Sequence, residues 1–192
     1  MRRRQQPSST KYLLHKNLFV LTVGSDLASQ LLNGISLHQL ALDEAISFCK
    51  ANDAELIEVS AEELLPVLKL KDFDVVVIHD ELRPLVSASQ MQRTFDALGK
   101  FDAVRATMAF TETIKSLDSE HRLNETIDRE KVRRISSPEV IKRSAINFSG
   151  STTTWSVPLI NGVRTTQVEA DPQGIRVNNL QELKMLEALA QL

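Results

Sequence analysis

His79-Asp80-Glu81-Leu82-Arg83-Pro84 is the stretch of this chain best suited to chemistry. It follows directly on the apolar run Phe73-Asp74-Val75-Val76-Val77-Ile78, so its side chains stand at the end of a strand. A carboxylate launched there can hold Mg²⁺ against phosphate oxygens, and an arginine three residues on can neutralise a second phosphate. The alternative reading is a solvated turn in which Asp80 bonds backbone amides. Asp171-Pro172-Gln173-Gly174-Ile175-Arg176-Val177 joins a turn signal to a cation launched from extended chain, or is an ordinary β-turn. Thr113 and Lys115 taken alone read as surface polar residues. Thr126-Ile127-Asp128-Arg129 reads as a turn with a local ion pair, worth ~0–1 kcal/mol if exposed. The histidines at 15, 38, 79 and 121 share no ligand spacing, which disfavours a histidine metal site.

The elements that must position these groups alternate. Leu18 to Val23 is a continuous apolar run, the mark of a strand buried on both faces. Gly24-Ser25-Asp26 turns it into a short helical pattern with Leu27, Leu31 and Leu32 on one face. A second helix is expected from Leu37 to Ala51, broken by Asn52-Asp53, then a strand from Glu55 to Val59 and a helix from Ala61 to Leu70 interrupted by Pro66. Phe73 to His79 is the strongest strand. A helix over Ser89 to Leu98 and a strand over Ala103 to Ala109 follow, then extended pieces at Thr111–Leu117 and Arg122–Ile127. Ser137-Pro138 has the form of a helix start, with Val140, Ile141 and Ile146 continuing the pattern. Strands are expected at Val163–Val168 and Ile175–Val177. A final helix carries Leu180, Leu183, Leu186 and Leu189 or Ala190 inward. Alternation of this kind means an α/β domain with a mostly parallel sheet, whose ligand crevice lies beyond the carboxyl ends of the strands.

Composition narrows the class. With 42% hydrophobic residues among 192, one domain can fill a core, read as residues 17–192 behind a basic tail, 1–16. The net charge of −2 gives no general pull toward nucleic acid or an anionic membrane. A lone tryptophan, Trp155, is no base-stacking platform. The single cysteine, Cys49, excludes an internal disulfide, fits a reducing compartment, and lies on an apolar helix face as a core residue. No apolar run reaches the ~20 residues of a membrane span. The basic lead before Asp26 lacks the apolar region of a secretory signal, so the cytoplasm is the expected location, with a mitochondrial presequence as the alternative.

Taken in order, VVVIHDELRP, ETIK, TIDR, SPE, TT and VEADPQGIRVNN resemble the methylerythritol-phosphate and ribitol-phosphate cytidylyltransferases. Those proteins carry runs like VLVHDAxRP, DTIK, TxDR, TPQ, a TD pair and VEGDPxNIKVT. The match is firm from Asp74 to Leu192 and looser upstream. It implies a Rossmann-like, glycosyltransferase-A-like nucleotidyltransferase fold of three layers, with a small protruding dimerisation arm at roughly 110–135. It implies transfer of CMP from CTP to a sugar-alcohol phosphate, with pyrophosphate release and Mg²⁺. Carried over by position, Asp80 and Arg176 are catalytic and Asp80 is the metal-side carboxylate. Arg83, Thr113, Arg129, Ser137, Thr152 and Asp171 are substrate-binding, with Arg129 reaching across a dimer.

The departures concern the nucleotide. The family's first strand ends in a glycine-rich loop whose backbone amides, with an arginine and a lysine, cradle the triphosphate. Here Val23 to Gln30 offers Gly24 and Ser25, no cation and an added carboxylate, and no Lys or Arg occurs between Lys16 and Lys50. Losing one preorganised donor costs ~10²–10³ in rate, so transfer is expected to be impaired. The alternative is an inactive homologue acting as a binding, regulatory or dimerisation partner, a homodimer or a heterodimer with an active paralogue.

Overall fold

The computed structural model describes residues 16–151 and 155–189. Ten strands and four α-helices succeed one another among them: β1 (Asn17–Val23), β2 (Leu31–Leu32), β3 (Ile35–Ser36), α1 (Leu37–Asn52), β4 (Ala54–Ser60), α2 (Leu64–Leu70), β5 (Val75–Asp80), α3 (Ala88–Asp96), β6 (Ala103–Met108), β7 (Ile114–Leu117), β8 (Leu123–Ile127), β9 (Arg134–Lys142), β10 (Thr165–Glu169) and α4 (Leu180–Leu189). Six strands form one sheet in the order β10-β6-β9-β5-β1-β4. β1 runs parallel to β4 and β5, and β10 parallel to β6, while β9 is antiparallel to both its neighbours. The sheet is therefore mixed and mostly parallel, with helices flanking it.

β1 shows why its residues make a central strand. Alternate side chains enter opposite cores, as a period of two requires. Leu18 and Val20 join Val76, Ile78, Ile141 and the α2 residues Leu64, Leu65 and Leu68 on one face. Phe19 and Leu21 join Ala41, Ala45 and Phe48 of α1, Met91 of α3, and Val77 on the other. A third apolar cluster closes the carboxyl end, where Leu183 and Leu186 of α4 pack on Ala28, Leu32, Leu37, Leu82 and Val177. Cys49 is buried in the second cluster, and burial pushes its thiol up to about 11. Ser36 and Ser87 cap α1 and α3 by accepting from Gln39 N at 3.1 Å and Gln90 N at 3.2 Å.

Several elements differ from expectation. Ser137-Pro138 starts no helix: it lies within β9, which opposes both its neighbours in the central sheet. Val140 and Ile141 fit a strand enclosed on both faces as well as they fit a helix, and the sheet position decides. Its ladder with β6 shifts register between Arg105 and Thr107, opposite the proline, which has no N–H to give. The helical face of Leu27, Leu31 and Leu32 is a 3₁₀ turn, Asp26–Ser29, followed by the β2–β3 hairpin. Asn33 and Gly34 hold the positive φ values, 52° and 86°, that such a two-residue turn demands. α2 begins at Leu64, placing Pro66 in its first turn, where its missing N–H is no loss. Ile175–Val177 forms no strand and is tied to β5's extension by Val177 N donating to Leu82 O at 2.8 Å. In α4, Leu180 is 53% exposed rather than inward. The expected inward side chains Leu189 and Ala190, the basic tail up to residue 15, and Thr152 lie outside the described residues. β7 and β8 pair with each other in a separate two-stranded sheet.

Candidate functional site

The central strand β5 delivers Asp80 to the carboxyl edge of the sheet, between β1 and β9. His79, just before it, is fully buried, its Nδ1 2.5 Å from Ser137 Oγ on β9. Burial, with the nearby charge of Arg83 adding, lowers the imidazole to about 3, so it is neutral. Ser137 Oγ also accepts from Asp80 N at 3.2 Å, and Ser137 O accepts from Gln90 Nε2 at 2.7 Å. Ser137, expected to touch substrate, is thus an interior splice between β9, β5 and α3.

Asp80 is 3% exposed and both its oxygens face N–H donors. Oδ1 accepts from Leu82 N at 3.1 Å, and Oδ2 accepts from Arg176 Nε at 2.7 Å with Arg83 Nε at 3.8 Å. Asp80, Arg83 and Arg176 therefore come together, as the motifs anticipate, across 96 residues of chain for the Asp80–Arg176 pair. The two arginines have different duties. Arg83 Nη1 donates to Gly174 O at 2.8 Å and Ser136 Oγ at 3.3 Å, and Nη2 to Ile135 O at 3.1 Å. It lies 5.9 Å from the Trp155 ring centre. These bonds bind β9 and the 171–177 turn to the end of β5, so Arg83 is a brace as well as a charge. Burial lowers its pKa to about 10, Asp80 opposes that, and Arg176 and Arg134 reinforce it.

The metal expectation meets this geometry badly. Asp80 offers no oxygen free of an N–H donor, and its charge is already compensated by two guanidiniums. No group of three His, Cys, Asp or Glu side chains suited to a metal occurs among the described residues. A cation at Asp80 would therefore have to compete with the Arg176 guanidinium for it.

Two concave spaces flank the Asp80–Arg176 pair. One, of about 290 Å³, is lined by Arg83, Arg134, Arg176, Asn178, Glu182 and apolar Ile175 and Met185. The other, of about 570 Å³, lies where the strand ends of β1, β4 and β5 meet and includes Gly24, Ser25, Glu62, Asp80, Glu81 and Trp155. Arg176 is the one cation among its described lining residues, against three carboxylates. The turn of Gly24, at φ 115°, directs Ser25 N onto Glu81 Oε1 at 3.0 Å. Glu81 Oε2 in turn accepts from His38 Nδ1 at 3.0 Å, and His38 Nε2 lies 3.4 Å from Glu58.

Glu81 and His38 are the site residues that sequence reasoning missed. The signal was visible: Glu81 stands where the similar run has a small residue, HDE against HDA. The remaining expected ligands are placed elsewhere. Thr113 and Arg129 are exposed beside the β7–β8 arm, and Arg129 Nη1 donates to Thr111 O at 2.8 Å. Asp171 holds Arg93 Nη2 at 2.5 Å, while its amide donates to Gln90 Oε1 at 2.6 Å. It fastens the turn to α3.

Comparison with known proteins addresses the family and the fold. Residues 14–186 match the family model described as IspD: 2-C-methyl-D-erythritol 4-phosphate cytidylyltransferase. A bifunctional enzyme IspD/IspF of Nitrobacter winogradskyi is 35% identical over 89 residues, 46% of this chain and 22% of that protein. A 2-C-methyl-D-erythritol 4-phosphate cytidylyltransferase of Syntrophus aciditrophicus is 30% identical over 73 residues, 38% of this chain and 31% of that protein. The matched stretches thus span less than a third of these curated relatives. The 4-diphosphocytidyl-2C-methyl-D-erythritol synthase structure from Anaerococcus prevotii superposes with a TM-score of 0.75 at 16% identity, covering 93% of this chain and 100% of that one. The corresponding cytidylyltransferase of Thermus thermophilus gives 0.66 at 16% identity, covering 91% and 98%. These structures share the α/β fold, and on the match of the family model across most of its length the chain belongs to the IspD family.

Proposed function

We propose that this protein is a polyol-phosphate cytidylyltransferase, acting on methylerythritol or ribitol phosphate, whose transfer of CMP from CTP is impaired at the nucleotide end. In that reaction an acceptor phosphate oxygen attacks the α-phosphorus of CTP. The new P–O bond forms as the α–β bridge breaks, and pyrophosphate departs with the bonding pair. One observation carries the reading: the cations gather on one side of Asp80. Arg83, Arg134 and Arg176 line the smaller pocket, suited to a phosphate monoester. The larger cleft, where a triphosphate would lie, sets Glu62, Asp80 and Glu81 against Arg176 alone among its described lining. Unit charges 4 Å apart interact by ~4 kcal/mol at an effective dielectric of 20, so a cleft of this sign resists a polyanion. Asp80 holds Arg176 by its Nε and so orients the one cation shared by both spaces.

The second reading, an inactive homologue that binds or pairs, is favoured by the Ser25 amide being already taken by Glu81. The finer expectations of a cytoplasmic setting, a homodimer or an active paralogue as partner belong with either reading. Purified protein given CTP, a magnesium salt and either polyol phosphate is assayed for released pyrophosphate. Slow turnover, abolished by Asp80→Ala and by Arg176→Met, is the expected result. Absence of turnover together with absence of a thermal shift on adding CTP overturns the enzyme reading and leaves the inactive one.

A further inference from the structure

Glu81 has no place in the chemistry just described, yet its position is over-determined. Its side chain is 4% exposed although it lines the larger cleft. Its backbone amide donates to Thr22 O at 3.2 Å, which fixes it beside β1. One carboxylate oxygen accepts from Ser25 N at 3.0 Å, and the other from His38 Nδ1 at 3.0 Å. His38 comes from the first turn of α1 and is itself steadied by Glu58 at 3.4 Å. The carboxylate is thus clamped between a backbone N–H of the first turn and a side chain anchored on a helix.

That first turn is built to present a donor. Gly24 takes φ 115°, and a Cβ there would meet nothing within 4 Å, so the conformation rather than a crowded neighbour calls for glycine. Ser25 Oγ accepts from Leu27 N at 3.3 Å, which fixes the turn, while the Ser25 amide donates to Glu81. A half-buried amide of this kind favours an acceptor, and an anionic one makes the stronger bond. We propose that Glu81 is an internal anion occupying this amide, a built-in stand-in for the phosphate oxygen of a ligand. Anion entry into the cleft then requires the carboxylate to be displaced. The inference deepens the reading of the same cleft and rests on it for the class of ligand, a phosphate-bearing anion.

Calorimetric titration of the full chain with inorganic pyrophosphate, without metal, tests it. Glu81→Ala frees the amide and removes the charge, and is expected to bind pyrophosphate at least tenfold more tightly than the unmodified protein. Glu81→Gln keeps an acceptor for Ser25 N but not the charge, so its gain is smaller and still measurable. Glu62→Gln lowers the charge of the same cleft without touching the amide and serves as the comparison. No gain in either Glu81 variant, or an equal gain in Glu62→Gln, overturns the proposal. Should Glu81→Ala fail to fold, the comparison of Glu81→Gln with Glu62→Gln decides the matter. CTP turnover is measured on the same proteins. Tighter pyrophosphate binding in the Glu81 variants, with neither turnover nor a thermal shift with CTP in the unmodified protein, supports the internal anion and refutes the transfer reading. Turnover by the unmodified protein with no gain in affinity refutes the internal anion alone.

Discussion

Lowering the pH from 7.5 to 5 should cost this fold about 2 kcal/mol through one side chain, His79. The imidazole is fully buried, and burial, then the charge of Arg83, depress it from 6.5 to about 3. Between those values the unfolded chain binds a proton that the folded chain refuses. Stability therefore rises with pH across the window and is lost as the pH falls from 6.5 toward 3. Integrating the titration of one such group at 1.36 kcal/mol per pH unit gives a loss of about 2 kcal/mol between pH 7.5 and 5. Urea unfolding of the unmodified protein and of His79→Leu at pH 7.5, 6.5 and 5 measures it. Leucine gives up the Ser137 contact, so the variant begins about 1 kcal/mol less stable at pH 7.5. It has no proton to take up, so the gap should close near pH ~5.8 and stand reversed by about 1 kcal/mol at pH 5. Stability curves that stay parallel from pH 7.5 to 5 would refute the assignment of His79 as a buried, neutral base.

Glu139 on β9 is fully buried beside its cross-strand partner Arg105, with Ser156 Oγ donating to it at 2.9 Å, and burial raises its pKa. Arg105→Ala strands that carboxylate and should destabilise by about 3–5 kcal/mol in urea unfolding, whereas Glu139→Gln should cost less than half as much. Equal losses would mean that the charge is not what matters there. Gly24→Ala should lower stability by ~1–3 kcal/mol through its backbone at φ 115° alone, read from the thermal midpoint, and a neutral result would show that the turn adopts another shape.

What could be read from the chain itself was whatever depends on near neighbours. Leu18 to Val23 and Phe73 to His79 announce central strands because burial on both faces leaves an unbroken apolar run. α1 follows from apolar residues at helical spacing between Ser36 and Asn52-Asp53, and the HDELRP and DPQGIRV segments mark the groups that meet at the sheet edge. Asn33-Gly34 was a hairpin signal too, obscured by leucines that also suit a helix. Other features were settled only by tertiary structure. Ser137-Pro138 has the local form of a helix start, and only the slot between β5 and β6 makes it strand. Glu81 is a turn residue in sequence, and becomes the occupant of the Ser25 amide because parallel pairing of β1 and β5 brings the two strand ends together. The physical reason is range. Periodicity and capping act over a few residues, whereas a hydrogen bond between residues 25 and 81 exists only once the order and register of the sheet are fixed.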